Sequence, residues 1–343
     1  MNTFILGIES SCDDTSAAVV NKNVLLSNII AGQAIHKNFG GVVPEYASRA
    51  HQINIIPVID QALHEANIQK NQLSAIAFTR GPGLLGSLIV GTSVAKSLGL
   101  ALNIPIIEVD HIQAHMLAHF IVEQNHTKQT PQFPFLCLLV SGGHTQIIKV
   151  KDFYTFQTIA NTIDDAAGEA FDKSAKILGL PYPGGQMIDK NAAAGDPLKY
   201  KFAEPQVKDD EFSFSGLKTS FLYFIRDNLK SNPDFIDQNL ADLCASIQHT
   251  IITILVKKLI KASTLTGIRQ IAISGGVSAN SALRDMLLSL AEQQRWKVFL
   301  PKPVFCTDNA AMVAVAGYYK YLNKDFTGQD SIPYTRYIVP EGK

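Results

Sequence analysis

The chain alternates between apolar runs and polar, glycine-marked turns in a way that predicts an α/β protein. Residues 3–8 (TFILGI) and 16–20 (SAAVV) are apolar, and polar ESSCDDT separates them. Two apolar runs around a short polar stretch predict a hairpin, with its turn near Cys12–Asp14. After Pro44 the spacing of Ile55, Ile59, Ala62, Leu63 and Ala66 predicts an amphipathic helix. Residues 73–79 (LSAIAFT) read as a buried strand, ending in the glycine-rich turn RGPGLLGS. A helix follows, containing Val90, Val94 and Leu98, then a strand over 104–109 (IPIIEV), then a helix over DHIQAHMLAHF. Residues 124–134 (QNHTKQTPQFP) are polar with two prolines, the composition of a lobe boundary. Beyond it, FLCLLVSGGHTQIIKV predicts two strands around a Gly-Gly turn. Helical segments occupy much of 164–260, interrupted by LPYPGG at 180–185. A strand over 270–274 leads through GGVSAN into another helix, and a loop at CTDN is capped into the last one.

The pattern contains an echo. LVSGGHT (139–145) and AISGGVS (272–278) both run from an apolar strand into Ser-Gly-Gly, and an apolar hairpin opens each half of the chain. Together with 343 residues, long for one core, this predicts two related α/β lobes around a cleft. The first lobe is assigned to 1–128 and the second to 129–343, with the last helix allowed to pack back onto the first.

Composition narrows the function classes. The formal net charge is +0, so no overall field draws the chain to nucleic acid or membrane; any RNA contact needs a local basic patch or a partner. Lys199 and Lys201, or Lys257, Lys258 and Lys261, are candidate patches, though each alone reads as a solvated face. Cys12, Cys137, Cys244 and Cys306 share no metal or redox spacing. The opening residues lack a signal-peptide pattern, and the apolar stretch 84–107 is interrupted by Lys96, Asn103 and Pro105. The expected location is the cytosol, without membrane attachment.

Three features carry candidate chemistry. His111 and His115 stand at i and i+4 on a predicted helix, which puts both rings on one face, as half of a metal site would require. Spacing alone leaves an ordinary pair of helix-surface residues equally open. A zinc protease would need Glu directly after the first histidine, and Ile112 stands there. Ser141-Gly142-Gly143 and Ser274-Gly275-Gly276 each follow a buried strand. Such turns suit nucleotide or phosphate binding, or are simple turns. Asp308 precedes the last helix, either as its cap or as a carboxylate ligand completing a two-histidine site. Asp172 and Asp189, on polar helical faces, and Asp13 and Asp14, in a turn, read more readily as solvated or conformational residues.

At this point the residues resemble a known family. AKSLGLALNIPIIEVDHIQAHM (95–116) carries the signature Lys96, Pro105, His111, Ala114 and His115. Blocks 7–20, 40–51, 79–88, 138–145, 164–173, 183–185, 213–218, 274–280 and 307–312 extend the match nearly end to end. The chain resembles the TsaD family, bacterial tRNA N6-adenosine threonylcarbamoyltransferases. The resemblance implies a two-lobed actin/Hsp70/sugar-kinase (ASKHA) fold. It implies one divalent metal per chain, iron before zinc, on His111, His115 and Asp308. It implies a threonylcarbamoyl-AMP donor contacting Leu139, Val140, Ser141, Gly142, Gly143, Asp172, Gly185, Asp189 and Asn280. Transfer to adenosine 37 of tRNA, a TsaB-like paralogue and a TsaE-like P-loop ATPase complete the expectation. The rival readings are an ATP-dependent sugar kinase of the same fold, a scaffold lobe pair and a metalloprotease.

Overall fold

A computed structural model describes residues 2–124, 129–208 and 210–336. The chain forms two compact units: Met1–Thr130 together with Pro303–Lys343, and Pro131–Lys302. Of the sequence-assigned boundary stretch, 125–128 lies outside the described residues.

The first unit opens with β1 (Phe4–Glu9), β2 (Thr15–Asn21) and β3 (Val24–Ala31), followed by α1 (Pro44–Glu65), β4 (Ala75–Gly81), α2 (Leu85–Leu102), β5 (Ile106–Asp110), α3 (His111–Leu117) and β6 (Val122–Glu123). The second contains β7 (Phe135–Val140), β8 (Thr145–Val150), β9 (Phe156–Thr162), α4 (Ala167–Ile177), α5 (Gly184–Ala192), β10 (Glu211–Phe212), α6 (Ser215–Ser231), α7 (Phe235–Thr266), β11 (Gln270–Ser274), α8 (Ser281–Gln294) and β12 (Lys297–Phe299). The chain then returns to the first unit as α9 (Ala310–Leu322).

The two sheets repeat one plan. Their strand orders are β5-β4-β1-β2-β3-β6 and β12-β11-β7-β8-β9-β10. In each, three antiparallel strands are extended by two parallel ones on one edge and a short parallel strand on the other. This doubled α/β plan is the expected actin/Hsp70/sugar-kinase class. Sequence reading missed the short strands β6, β10 and β12 and two longer ones, β3 and β9, whose mixed exposure along their length shows neither a continuous apolar run nor a clean alternation.

Small residues set the packing of α9. A Cβ at Gly7 would lie 2.4 Å from the Ala310 carbonyl oxygen, and one at Gly317 would lie 2.3 Å from the Ala77 Cβ. Only glycine admits α9 this close to β1 and β4. All of Ala310–Gly317 is buried there, which brings the loop before α9 to the carboxyl ends of the parallel strands, where ligands bind in open α/β sheets. Two helices, α2 and α7, are long and apolar enough to span a membrane by length and composition. Half of the residues of α7 are buried, and its apolar side chains pack in the second unit's core.

Candidate functional site

The carboxyl end of β1, the helix that follows β5 and the loop before α9 bring Glu9, His111, His115 and Asp308 together in the first unit. β5 ends at Asp110, whose carboxylate accepts from the Gln113 amide at 2.9 Å and starts α3. One turn of helix then stacks His111 and His115, with ring centres 4.6 Å apart and planes at 84°. Both are buried. Asp308 approaches from the loop before α9: its Oδ1 lies 3.1 Å from His115 Nε2 and 3.5 Å from His111 Nε2. The three ligand atoms lie within 4.8 Å of one another. Two imidazole nitrogens and one carboxylate oxygen suit a divalent transition metal and leave coordination positions open. The cap of α9 is Asn309, which accepts from the Met312 amide at 3.1 Å. Of the two roles the sequence left open to Asp308, the cap is thus filled by its neighbour.

Sequence reading missed Glu9. It ends the apolar run of β1 and is fully buried. Its Oε2 accepts from His111 Nδ1 at 3.2 Å and from the Thr79 hydroxyl at 2.5 Å, while Oε1 accepts from the Ser11 amide at 2.5 Å. Holding Nδ1 turns His111 Nε2 toward Asp308, the arrangement that orients metal-binding histidines. Burial alone would raise the Glu9 carboxyl, but the charge and hydrogen bond of His111 outweigh it and hold it below its usual value. Burial works against charge on His111 as well. There Asp308 and then Glu9 prevail, and its pKa is pushed up to about 9. The available signal was an acidic residue closing an otherwise apolar strand. His119 is buried in the turn after α3 and lies outside the metal cluster.

The second unit gathers the other sequence-predicted residues around the ends of β7 and β11. Leu139 and Val140 are the buried end of β7. Ser141 closes a turn: its amide donates to the His144 carbonyl at 2.8 Å, and its hydroxyl accepts from the His144 amide at 3.1 Å. A Cβ at Gly142 or Gly143 meets nothing within 4 Å, and neither amide donates a hydrogen bond among the described residues. Gly275 differs. Its φ is +86°, and a Cβ would lie 2.4 Å from the Val140 carbonyl oxygen, so this glycine is needed for the fold.

The helix starts nearby are already capped. Asp172 Oδ1 accepts from the Gly184 and Gly185 amides at 2.8 and 3.2 Å. Asp189 accepts from the Ser281 amide and hydroxyl at 3.0 and 2.7 Å. Asn280 caps α8 through the Leu283 amide at 3.0 Å and donates to Gln248 at 2.7 Å. The sequence treated Asp172 and Asp189 as solvated faces; both instead join helices. The start of α8, read from sequence as an anion site, has its Ser281 and Leu283 amides satisfied from within the chain. That leaves the Gly142 and Gly143 amides available to an incoming anion.

Comparison with known proteins identifies the family. The profile of the tRNA N6-adenosine threonylcarbamoyltransferases (TsaD) matches residues 24–315. A protein of that name from Porphyromonas gingivalis is 60% identical over 335 residues, covering 98% of both chains. Another from Christiangramia forsetii is 60% identical over 333 residues, covering 97% of both. Among solved structures, T. kodakarensis HypF aligns with a TM-score of 0.61 at 14% identity, over 96% of this chain and 49% of HypF; this shared fold spans about half of HypF. The chain belongs to the tRNA N6-adenosine threonylcarbamoyltransferase family.

Proposed function

We propose that this chain transfers the threonylcarbamoyl group of threonylcarbamoyl-AMP to N6 of adenosine 37, next to the anticodon, in tRNAs that read codons beginning with A. One divalent ion per chain, Fe2+ before Zn2+, is held by His111, His115 and Asp308. The observation that carries the reading is the buried convergence of these three residues, with Glu9 fixed behind His111, in a chain of this family. A bound divalent ion supplies Lewis acidity toward the donor's carbonyl or carboxylate.

The rest is the work of the chain's own groups. The Gly142 and Gly143 amides receive the phosphate of the donor, and the β7 end, with Asp172, Gly185, Asp189 and Asn280 around it, shapes the nucleoside site. The adenosine amine attacks the carbamoyl carbon, forming a C–N bond. The C–O bond to phosphate breaks, AMP departs, and the amine proton is lost. The mixed anhydride is already activated, so positioning is the main contribution and no general base is assigned.

The same reading places the chain in the cytosol with a TsaB-like paralogue and a TsaE-like P-loop ATPase. Its zero net charge supports a need for partners in tRNA binding, and so do its committed lysines. Lys199 pairs with Asp242 at 2.6 Å and Lys257 with Glu204 at 2.7 Å, while Lys258 donates to the Lys208 carbonyl. Neither a kinase nor a protease is favoured by any feature: Ile112 is buried where a protease needs a base, and Glu9 is engaged by three donors. The test is incubation of the chain and its partners with threonylcarbamoyl-AMP and unmodified tRNA, followed by digestion to nucleosides. Threonylcarbamoyladenosine is expected; its absence with active partners and intact donor overturns the assignment.

A further inference from the structure

Beyond α9 the chain returns as a strap along the free edge of β5. The Thr327 amide donates to the Ile106 carbonyl at 3.0 Å. Glu108 then gathers the strap: its Oε2 accepts from the hydroxyls of Thr327 at 3.0 Å and Ser331 at 2.7 Å, and its Oε1 accepts from Arg80 at 2.7 Å. Lys96 donates to the Ser331 carbonyl at 2.5 Å, and Arg80 to the Ile332 carbonyl at 2.8 Å. The strap ends on Tyr334. Its amide donates to the Arg80 carbonyl at 3.2 Å, and the Arg80 guanidinium lies 5.5 Å from its ring centre. Its backbone sits so close to Gly81 that a Cβ there would fall 2.2 Å from the Tyr334 carbonyl oxygen.

The hydroxyl of Tyr334 donates to Oδ2 of Asp110. The other oxygen of that carboxylate, Oδ1, caps α3 through the Gln113 amide. Asp110 thus has one oxygen on the strap and one on the helix that carries His111 and His115. A capping carboxylate free to turn about its side-chain bonds would let the first turn of so short a helix fray. Here a distant part of the sequence holds it.

We propose that Tyr334 is a positioning residue for the metal centre: by fixing Asp110 it sets the first turn of α3 and the orientation of His111. The consequence for transfer rests on the function proposed above; the consequences for the helix and for ion binding do not. The test compares Tyr334→Phe, which keeps the ring and removes the hydroxyl, with Ser331→Ala, which removes a strap hydrogen bond that leads to Glu108 instead. Three properties of the full-length chain are read. They are amide exchange of the α3 peptide without metal, Zn2+ affinity by chelator competition, and the visible spectrum with Co2+ bound.

Tyr334→Phe is expected to speed exchange across the start of α3. It should also weaken Zn2+ by roughly tenfold, the lower end for losing an outer hydrogen bond at a metal site, and alter the Co2+ spectrum. Ser331→Ala should match the wild type in all three. Wild-type exchange, Zn2+ affinity and Co2+ spectrum in Tyr334→Phe overturn the proposal, as do equal changes in both variants. A wild-type chain that binds Zn2+ but transfers nothing refutes the function while leaving the strap to be judged on these readouts.

Discussion

At the scale of single residues, Glu9 makes the two histidines unequal. Alanine at His111 or at His115 is expected to abolish stoichiometric metal binding. Only His111→Ala also leaves a fully buried carboxylate without its charged partner. Breaking a buried pair from one side costs about 3 kcal/mol. Urea unfolding of the metal-free proteins should show that loss for His111→Ala, a smaller one for His115→Ala, and partial recovery in a Glu9→Gln/His111→Ala double variant. Equal stability of the two single variants would contradict the role given to Glu9. Protons compete at the same place. With the His111 pKa up at about 9, burial opposing its charge and Asp308 and Glu9 favouring it, the ring is protonated near neutral pH and an arriving ion must displace that proton. Ion affinity should therefore rise with pH up to about 9 and level off above it. Calorimetry near neutral pH, in buffers of different ionisation heat, should report release of about one proton per ion. Without metal the linkage has the opposite sense. A raised histidine pKa gives stability that is full below the unfolded value of about 6.5 and is lost as pH climbs through about 9.

At the scale of elements, turns and helix starts decide what a ligand can reach. Alanine at Gly142 meets no atom within 4 Å, so Gly142→Ala should fold with an unchanged melting temperature. Under the proposed phosphate site it should nevertheless weaken donor binding, because the added methyl stands beside the free amides. Unchanged donor affinity, measured by titration with threonylcarbamoyl-AMP or AMP, would remove the phosphate from this turn. Legibility in the sequence followed the same divide. The buried central strands β1, β4, β7 and β11 were visible as apolar runs, and the i, i+4 histidines were visible as a pair. β3 and β9 were not, since their partial exposure breaks the pattern. Nor could spacing reveal that Asp189 holds the start of α8, 92 residues further on, or that Glu9 lies behind His111. Those contacts depend on which strand ends and helices become neighbours in the fold, a property of topology that no local window contains.

At the scale of the whole molecule, one plan is used twice and specialised differently. The first unit ends its parallel strands in buried acid and imidazole groups; the second ends β7 in a glycine turn whose Gly142 and Gly143 amides donate no hydrogen bond among the described residues. The charge balance sets a further expectation. With net charge +0 and Lys199 and Lys257 paired to carboxylates, the isolated chain should bind tRNA weakly, and more tightly once assembled with its partners at the same salt. Tight binding and multiple turnover by the chain alone near physiological salt would show the partners to be dispensable. The central claim, carbamoyl transfer at a His111–His115–Asp308 centre, is tested most directly by one measurement. Threonylcarbamoyl-AMP labelled in its carbonyl carbon is incubated with unmodified tRNA, the partners and either the wild-type chain or Asp308→Ala, and label is counted in the tRNA nucleosides. The account predicts label in threonylcarbamoyladenosine with the wild type and loss of that transfer with folded Asp308→Ala. Equal labelling by the two proteins, or none by the wild type, would contradict it.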